Sequence, residues 1–209
     1  MNGQRERERE RESRTSNQLG VYTTLGASNH SEKDRDHHDY YATEPRAMEL
    51  LLAEERFAPV VWECACGEGH LSKVLETHGY EVISTDLIYR GFGDPEPLDF
   101  LKNTLEDFEG DIITNPPYKF ALEFVEQALN SVKPGRKVAM FLRLQFLEGK
   151  KRKEFFLHNP PKVVYVSSSR LKCAMNGDFE KYRANNAVCF AWFVWEKGYK
   201  GETVLRWIY

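Results

Sequence analysis

Two prolines in succession, Pro116 and Pro117, set the strongest local constraint in the chain. Each fixes its own φ and lacks an N–H, and both disfavour the α region for the residue before them. Directly upstream, Asp111-Ile112-Ile113-Thr114 is a short apolar run that reads as a buried strand ending in a loop. Asn115-Pro116-Pro117-Tyr118 is therefore a stiff, extended turn at the carboxyl end of a strand. Open α/β sheets place their ligands there. The Asn115 amide offers an acceptor oxygen beside donor hydrogens, and the Tyr118 ring offers a face on which a base can stack.

The flanking sequence builds a frame around that turn. The 209 residues are 41% hydrophobic and 13% aromatic, enough for a sizeable core. No stretch has the length and apolarity of a membrane span, and the amino terminus carries no signal-peptide core. Residues 1–36, opening with the Arg/Glu alternation from Arg5 to Glu12, lack apolar anchors and read as a disordered tail. Residues 37–209 read as a single domain. Thr43 is placed as an N-cap with Pro45 in the first turn, so a helix over Arg46–Glu55 is expected, its free N–H groups suited to a carboxylate. A plain helix start fits Thr43 equally well.

Val60 to Leu71 reads as strand, tight glycine loop and helix, with Gly67 and Gly69 letting the backbone approach a ligand. Ser72 stands where the dinucleotide fingerprint needs a third glycine. Tyr80–Asp86 is the next strand, and a carboxylate at its end can accept both hydroxyls of a ribose. Asp99 is suited either to accept from an adenine amine or to cap a helix, and Phe100 or Leu87 to cover the ring. A helix over Phe120–Val132, a strand over Lys137–Leu144, a short helix from Lys150, and strands over Lys162–Ser168 and Ala187–Glu196 follow. Thr203–Tyr209 is expected to return antiparallel, and Ser169–Asn186 reads as a loop. The cysteines Cys64, Cys66, Cys173 and Cys189 have no metal-ligand or disulfide spacing and read as small buried residues in a reducing cytoplasm, which sets the expected location.

Glu63, Gly67, Gly69, Asp86 and the Asn-Pro-Pro-Tyr turn together resemble the S-adenosylmethionine-dependent amino-methyltransferases. The order of motifs is most similar to the DNA adenine-N6 branch, in its small phage and prophage form. The resemblance implies an α/β, Rossmann-like class I methyltransferase fold: about seven mostly parallel strands with helices on both faces. It implies S-adenosyl-L-methionine as cofactor, held by Tyr41, Thr43, Glu63, Cys64, Gly67, Gly69, Asp86, Leu87, Asp99, Phe100 and Asn115. Glu63 would meet the cofactor's amino group. Asn115, Pro116, Pro117 and Tyr118 would be catalytic. No insertion large enough for a separate target-recognition domain is present, so sequence specificity comes from short loops or is weak. RNA or a protein glutamine as substrate, and a non-catalytic nucleic-acid-binding module, are the alternatives.

Charge is unevenly spread. Residues 42–132 carry 6 Lys/Arg against 18 Asp/Glu, whereas residues 133–183 carry 13 against 4. A basic segment beside an acidic one fits a polyanion beside a cationic cofactor. Lys150, Lys151, Arg152, Lys153, Arg170, Lys172 and Arg183 are the candidate nucleic-acid contacts; a solvated helix face is the bland alternative.

Overall fold

The computed structural model describes residues 41–175, 177, 179 and 188–209. The tail over residues 1–36 and the cation Arg183 lie outside them.

The chain enters through β1 (Tyr41–Thr43) and turns into α1 (Pro45–Glu54). Pro45 stands at the helix start, where a missing N–H leaves nothing unsatisfied. The cap is Glu44, extended at φ −61° and ψ 139°, and it makes no side-chain cap bond. Thr43 is therefore not the N-cap. It pairs in a β-ladder with Cys173, which keeps its backbone extended and its side chain buried. The helix buries Ala47, Met48, Leu51 and Leu52, a stripe at helical spacing.

Alternating strands and helices follow: β2 (Val60–Glu63), α2 (His70–Thr77), β3 (Glu81–Ser84), β4 (Asp111–Thr114), α3 (Ala121–Ser131), β5 (Lys137–Arg143), α4 (Lys150–His158) and β6 (Val163–Ser167). Then come β7 (Cys173–Met175), β8 (Phe190–Glu196) and β9 (Val204–Ile208). Seven strands form one sheet in the order β3-β2-β4-β5-β8-β6-β9. Six point the same way, and β8 runs against β5 on one side and β6 on the other. β9 runs opposite to β8, as a returning strand must. Its ladder partner, however, is β6, and that pairing is parallel. The chain crosses over β6 before it returns, which no local pattern announces.

β5 shows how the sheet is sandwiched. Ala139 and Phe141 pack on one face with Leu51 and Leu75 of the first two helices, while Val138, Met140 and Leu142 pack on the other with Phe124 and Val125 of α3. Phe190 to Trp195 of β8 are all buried, as a strand at the sheet's interior requires. Both buried indoles find acceptors: Trp192 donates to the Ala47 carbonyl at 2.8 Å and Trp195 to that of Asn159 at 3.1 Å. At the amino end of β4, buried Asp111 accepts from the N–H groups of Ala58 at 2.6 Å and Lys137 at 2.7 Å, tying β4 to the starts of its neighbours. The order reverses at β2 and β4, with β3 beyond one and β5 beyond the other. That switch point opens a crevice between the loops leaving their carboxyl ends.

Two further expectations fail. The stretch read as a loop after β6 contains β7, which pairs antiparallel with β1 as a separate ribbon. Of the four cysteines, Cys64, Cys66 and Cys173 are buried, but Cys189 is exposed, because it precedes β8 rather than lying within it. No described helix is long and apolar enough to cross a membrane.

Candidate active site

Every residue of β4 is buried, so the chain leaves the sheet at Asn115 with its strand fixed on both sides. The Asn115 side chain is pinned by its nitrogen. Nδ2 donates to the Tyr41 carbonyl at 2.7 Å and to Cys173 Sγ at 3.4 Å. A carbonyl can only accept, so the amide orientation follows from the first contact. Oδ1 is buried and has no hydrogen-bond partner among the described residues. Native interiors rarely leave such an acceptor unused, and a bound ligand is one explanation.

Pro116 is buried and Pro117 is exposed. Tyr118 turns its hydroxyl to Cys173 Sγ at 3.0 Å. Its ring lies below the Arg143 guanidinium, 4.8 Å from the centroid, and beside Phe190 at 5.7 Å and Tyr41 at 6.4 Å. Burial, then the neighbouring thiol, pushes the phenol well above its ordinary range, so it stays a neutral hydroxyl.

Across the crevice, the loops after β2 and β3 are joined through Asp86. Its carboxylate accepts from Gly67 N–H at 2.8 Å and Ile88 N–H at 3.0 Å. A carboxylate has further lone pairs for a ligand's hydroxyls. Asp99 takes both roles open to a capping acid. It accepts from Leu101 N–H at 3.2 Å and pairs with Lys102 at 2.9 Å, while still bordering the cleft. Phe100 is buried edge-on against Trp62.

Three expected cofactor residues stand off the cleft. Thr43 is enclosed in the ribbon. Gly69, at φ 76°, meets the Phe92 ring, which would lie 2.3 Å from any added Cβ. Gly69 thus admits an aromatic cover for the loop. Glu63 accepts a hydrogen bond from the Ser72 hydroxyl, which in turn lies 2.7 Å from Ser84 Oγ. Burial pushes the Glu63 carboxyl up to about 8, against the pull of the Ser72 hydrogen bonds. The cleft itself has a volume of about 480 Å³ and brings together Tyr41, Cys64, Gly67, Asp86, Leu87, Asp99, Phe100 and all four residues of Asn115–Tyr118.

Sequence reasoning missed Phe120 and Phe124, which also line the cleft, because both fall in the periodic stretch read as helix. It missed Cys173 because the contact spans the β1–β7 pairing, for which the sequence has no local signal. Of the basic candidates, Lys150, Lys151 and Lys153 are exposed in the first turn of α4. Arg152 folds back, donating to the Gln145 carbonyl at 3.2 Å and to that of Glu148, with its plane over Phe146. Arg170 is exposed and lies 3.7 Å from Cys189 Sγ; Lys172 donates its backbone N–H to Glu44 at 2.5 Å.

No protein-family description matches the sequence, and no curated protein aligns with it. Solved structures do match. A protein described as a modification subunit of a type I restriction enzyme from Vibrio vulnificus superposes with TM-score 0.54 at 13% identity, covering 91% of this chain and 49% of that one. One described as a class I S-adenosylmethionine-dependent methyltransferase from Listeria monocytogenes gives 0.51 at 14% identity, covering 77% and 62%. The fold is that of the class I methyltransferases. A protein described as a hemolysin from Lactococcus lactis shares it, at TM-score 0.55 and 13% identity over 77% of this chain and 91% of its own. The present chain spans about half the length of the restriction-enzyme subunit, 49%, and 62% of the Listeria protein. In this class I frame, the crevice at the switch point lies between the Gly67 loop and the Asn115 turn.

Proposed function

We propose that the chain is an S-adenosylmethionine-dependent methyltransferase that acts on the exocyclic N6 amine of adenine in DNA. The observation that carries this is the buried acceptor Asn115 Oδ1 at the cleft's edge, which has no hydrogen-bond partner among the described residues. An aryl amine is a weak nucleophile because its lone pair is delocalised into the ring. Accepting its N–H groups on Asn115 Oδ1 and the Pro116 carbonyl favours a pyramidal nitrogen, freeing that pair. The work is positioning and preorganised dipoles, with no covalent intermediate on the protein.

The other wall fits the cofactor. Gly67 brings bare backbone to the cleft, Asp86 presents a carboxylate to a diol, and Asp99 with Phe100 offers an acceptor and an aromatic face to adenine. When bound, the cofactor supplies an electrophilic sulfonium methyl. Tyr41, Cys64 and Leu87 line the same volume, whereas Thr43, Gly69 and Glu63 do not. Glu63 is assigned to the buried Ser72–Ser84 network, which ties β2 to α2 and β3, rather than to the cofactor amine.

Duplex DNA must release the base from its stack before this chemistry. Tyr118, with Phe120 exposed at the rim, provides aromatic surface to receive it. Four successive cations, Lys150 to Lys153, open α4. A helix N-terminus already carries partial positive charge, so this arrangement is unfavourable on its own and favours an anionic partner. Arg170 and Lys172 precede β7 and are two further cations offered to that partner.

The test is incubation with labelled cofactor and separate DNA, RNA and protein pools, with products resolved by mass spectrometry. N6-methyladenine in the DNA pool is the expected product. Methylation confined to RNA or to glutamine would replace the substrate. Cofactor binding with no transfer to any pool would overturn the enzymatic assignment.

A further inference from the structure

We propose that Cys173 is a positioning residue for methyl transfer, helping the Tyr41 carbonyl to hold the Asn115 amide with Oδ1 toward the substrate. The proposal rests on the functional assignment of Asn115 above. Cys173 lies on β7, in a part of the chain distant from both the cofactor loop and the Asn-Pro-Pro-Tyr turn. Its thiol is the meeting point of the site. Sγ lies 3.4 Å from Asn115 Nδ2, 3.0 Å from the Tyr118 hydroxyl and 3.8 Å from the Tyr41 carbonyl.

The geometry defines its role. An Asn amide is nearly symmetric in shape, and an acceptor on one side selects the nitrogen for that side. Here two acceptors, the Tyr41 carbonyl and the thiol sulfur, gather at Nδ2. Oδ1 is thereby left as the end with no partner among the described residues. Losing the thiol removes one of the two groups that hold the amide, and with it the sulfur that anchors the Tyr118 hydroxyl. The Tyr41 carbonyl alone then resists rotation of the amide. The ribbon explains how a distant segment reaches the turn: Thr43 pairs with Cys173 and Tyr41 with Met175, so β1 and β7 arrive together. Burial raises the thiol's pKa, with Tyr118 and Asn115 pulling the other way, which agrees with a neutral hydrogen-bonding role and no nucleophilic one.

The variants Cys173→Ala and Cys173→Ser, alone and with Asn115→Ala, separate the outcomes. Single-turnover transfer at saturating cofactor should fall about tenfold in Cys173→Ala, the size of one lost neutral hydrogen bond. Cofactor affinity by calorimetry should stay at the wild-type value. Cys173→Ser, whose hydroxyl can accept from Nδ2 and exchange a hydrogen bond with Tyr118, should recover most of the rate. In an Asn115→Ala background, Cys173→Ala should cost nothing further, since its effect runs through that amide. A side-chain amide NMR signal of Asn115 that is slow to exchange in wild type and Cys173→Ser but fast in Cys173→Ala would support the hydrogen bond without any turnover. Full activity in Cys173→Ala, a serine variant as slow as the alanine one, or an additive double variant would each overturn the proposal. An amide held as described in a protein that methylates no pool would instead leave the hydrogen bond standing and remove the reaction.

Discussion

Asn115, Asp86 and Glu63 are each buried or half-buried polar groups beside the cleft, yet their surroundings give them different tasks. Asn115 has an acceptor with no partner among the described residues, so Asn115→Ala should lower methyl transfer on the order of 10²–10³-fold while cofactor affinity stays near wild type, read by single-turnover kinetics and calorimetry. Asp86 already holds two backbone amides, and Asp86→Ala should weaken cofactor binding by about 1.5–3 kcal/mol, the range for hydrogen bonds to a charged group; an unchanged calorimetric affinity would remove its role. Glu63 carries a pH dependence. Its carboxyl ionises near 8 when folded against 4.5 ordinarily, so between those values the folded state holds the extra proton. Stability should therefore decline as pH rises from about 5 to 8, and the melting temperature of Glu63→Gln should decline less over that window. The strand-end positions of Asn115 and Asp86 are legible in the sequence, because a proline pair and a terminal acid are local signals. The turn of the Glu63 side chain to Ser72 and the reach of Cys173 to Asn115 are not, since both depend on which elements pack side by side.

Among the elements, α2, α3 and the interior strands are legible from apolar periodicity, and their ends from glycine, proline and acid. Pairing is not. β7 is three residues long and finds its partner far earlier in the chain, and β9 skips its sequence neighbour to join β6. Thr43 follows the same rule: a cap is a local motif, and here a ladder overrides it. The amino end of α4 is the element with the most direct experimental consequence. Replacing Lys150, Lys151, Arg152 and Lys153 by Ala should flatten the log–log salt dependence of duplex DNA binding by roughly 0.9 for each phosphate no longer neutralised. Because Arg152 is bound to two backbone carbonyls and stacked on Phe146, restoring it alone should recover helix stability and little of the slope. A quadruple variant with an unchanged slope would leave the three lysines a solvated face.

For the whole molecule, the cofactor wall and the acceptor turn belong to loops on either side of one switch point, so a ligand spanning them should tighten the entire sheet. Cofactor at 100 times its dissociation constant should raise stability by about 2.7 kcal/mol, visible as a concentration-dependent melting temperature. The central position of β8 has a separate consequence, for the timing of folding. Among the described strands, β8 alone links the half of the sheet ending at β5 to the half made of β6 and β9, yet it follows almost everything else in the chain. During synthesis, β5 and β6 must each wait with an unpaired apolar edge until residues 190–196 leave the ribosome. A nascent chain stalled before residue 190 should be a sticky, protease-sensitive species. Release of a few more residues should convert it to a protected one in a single step.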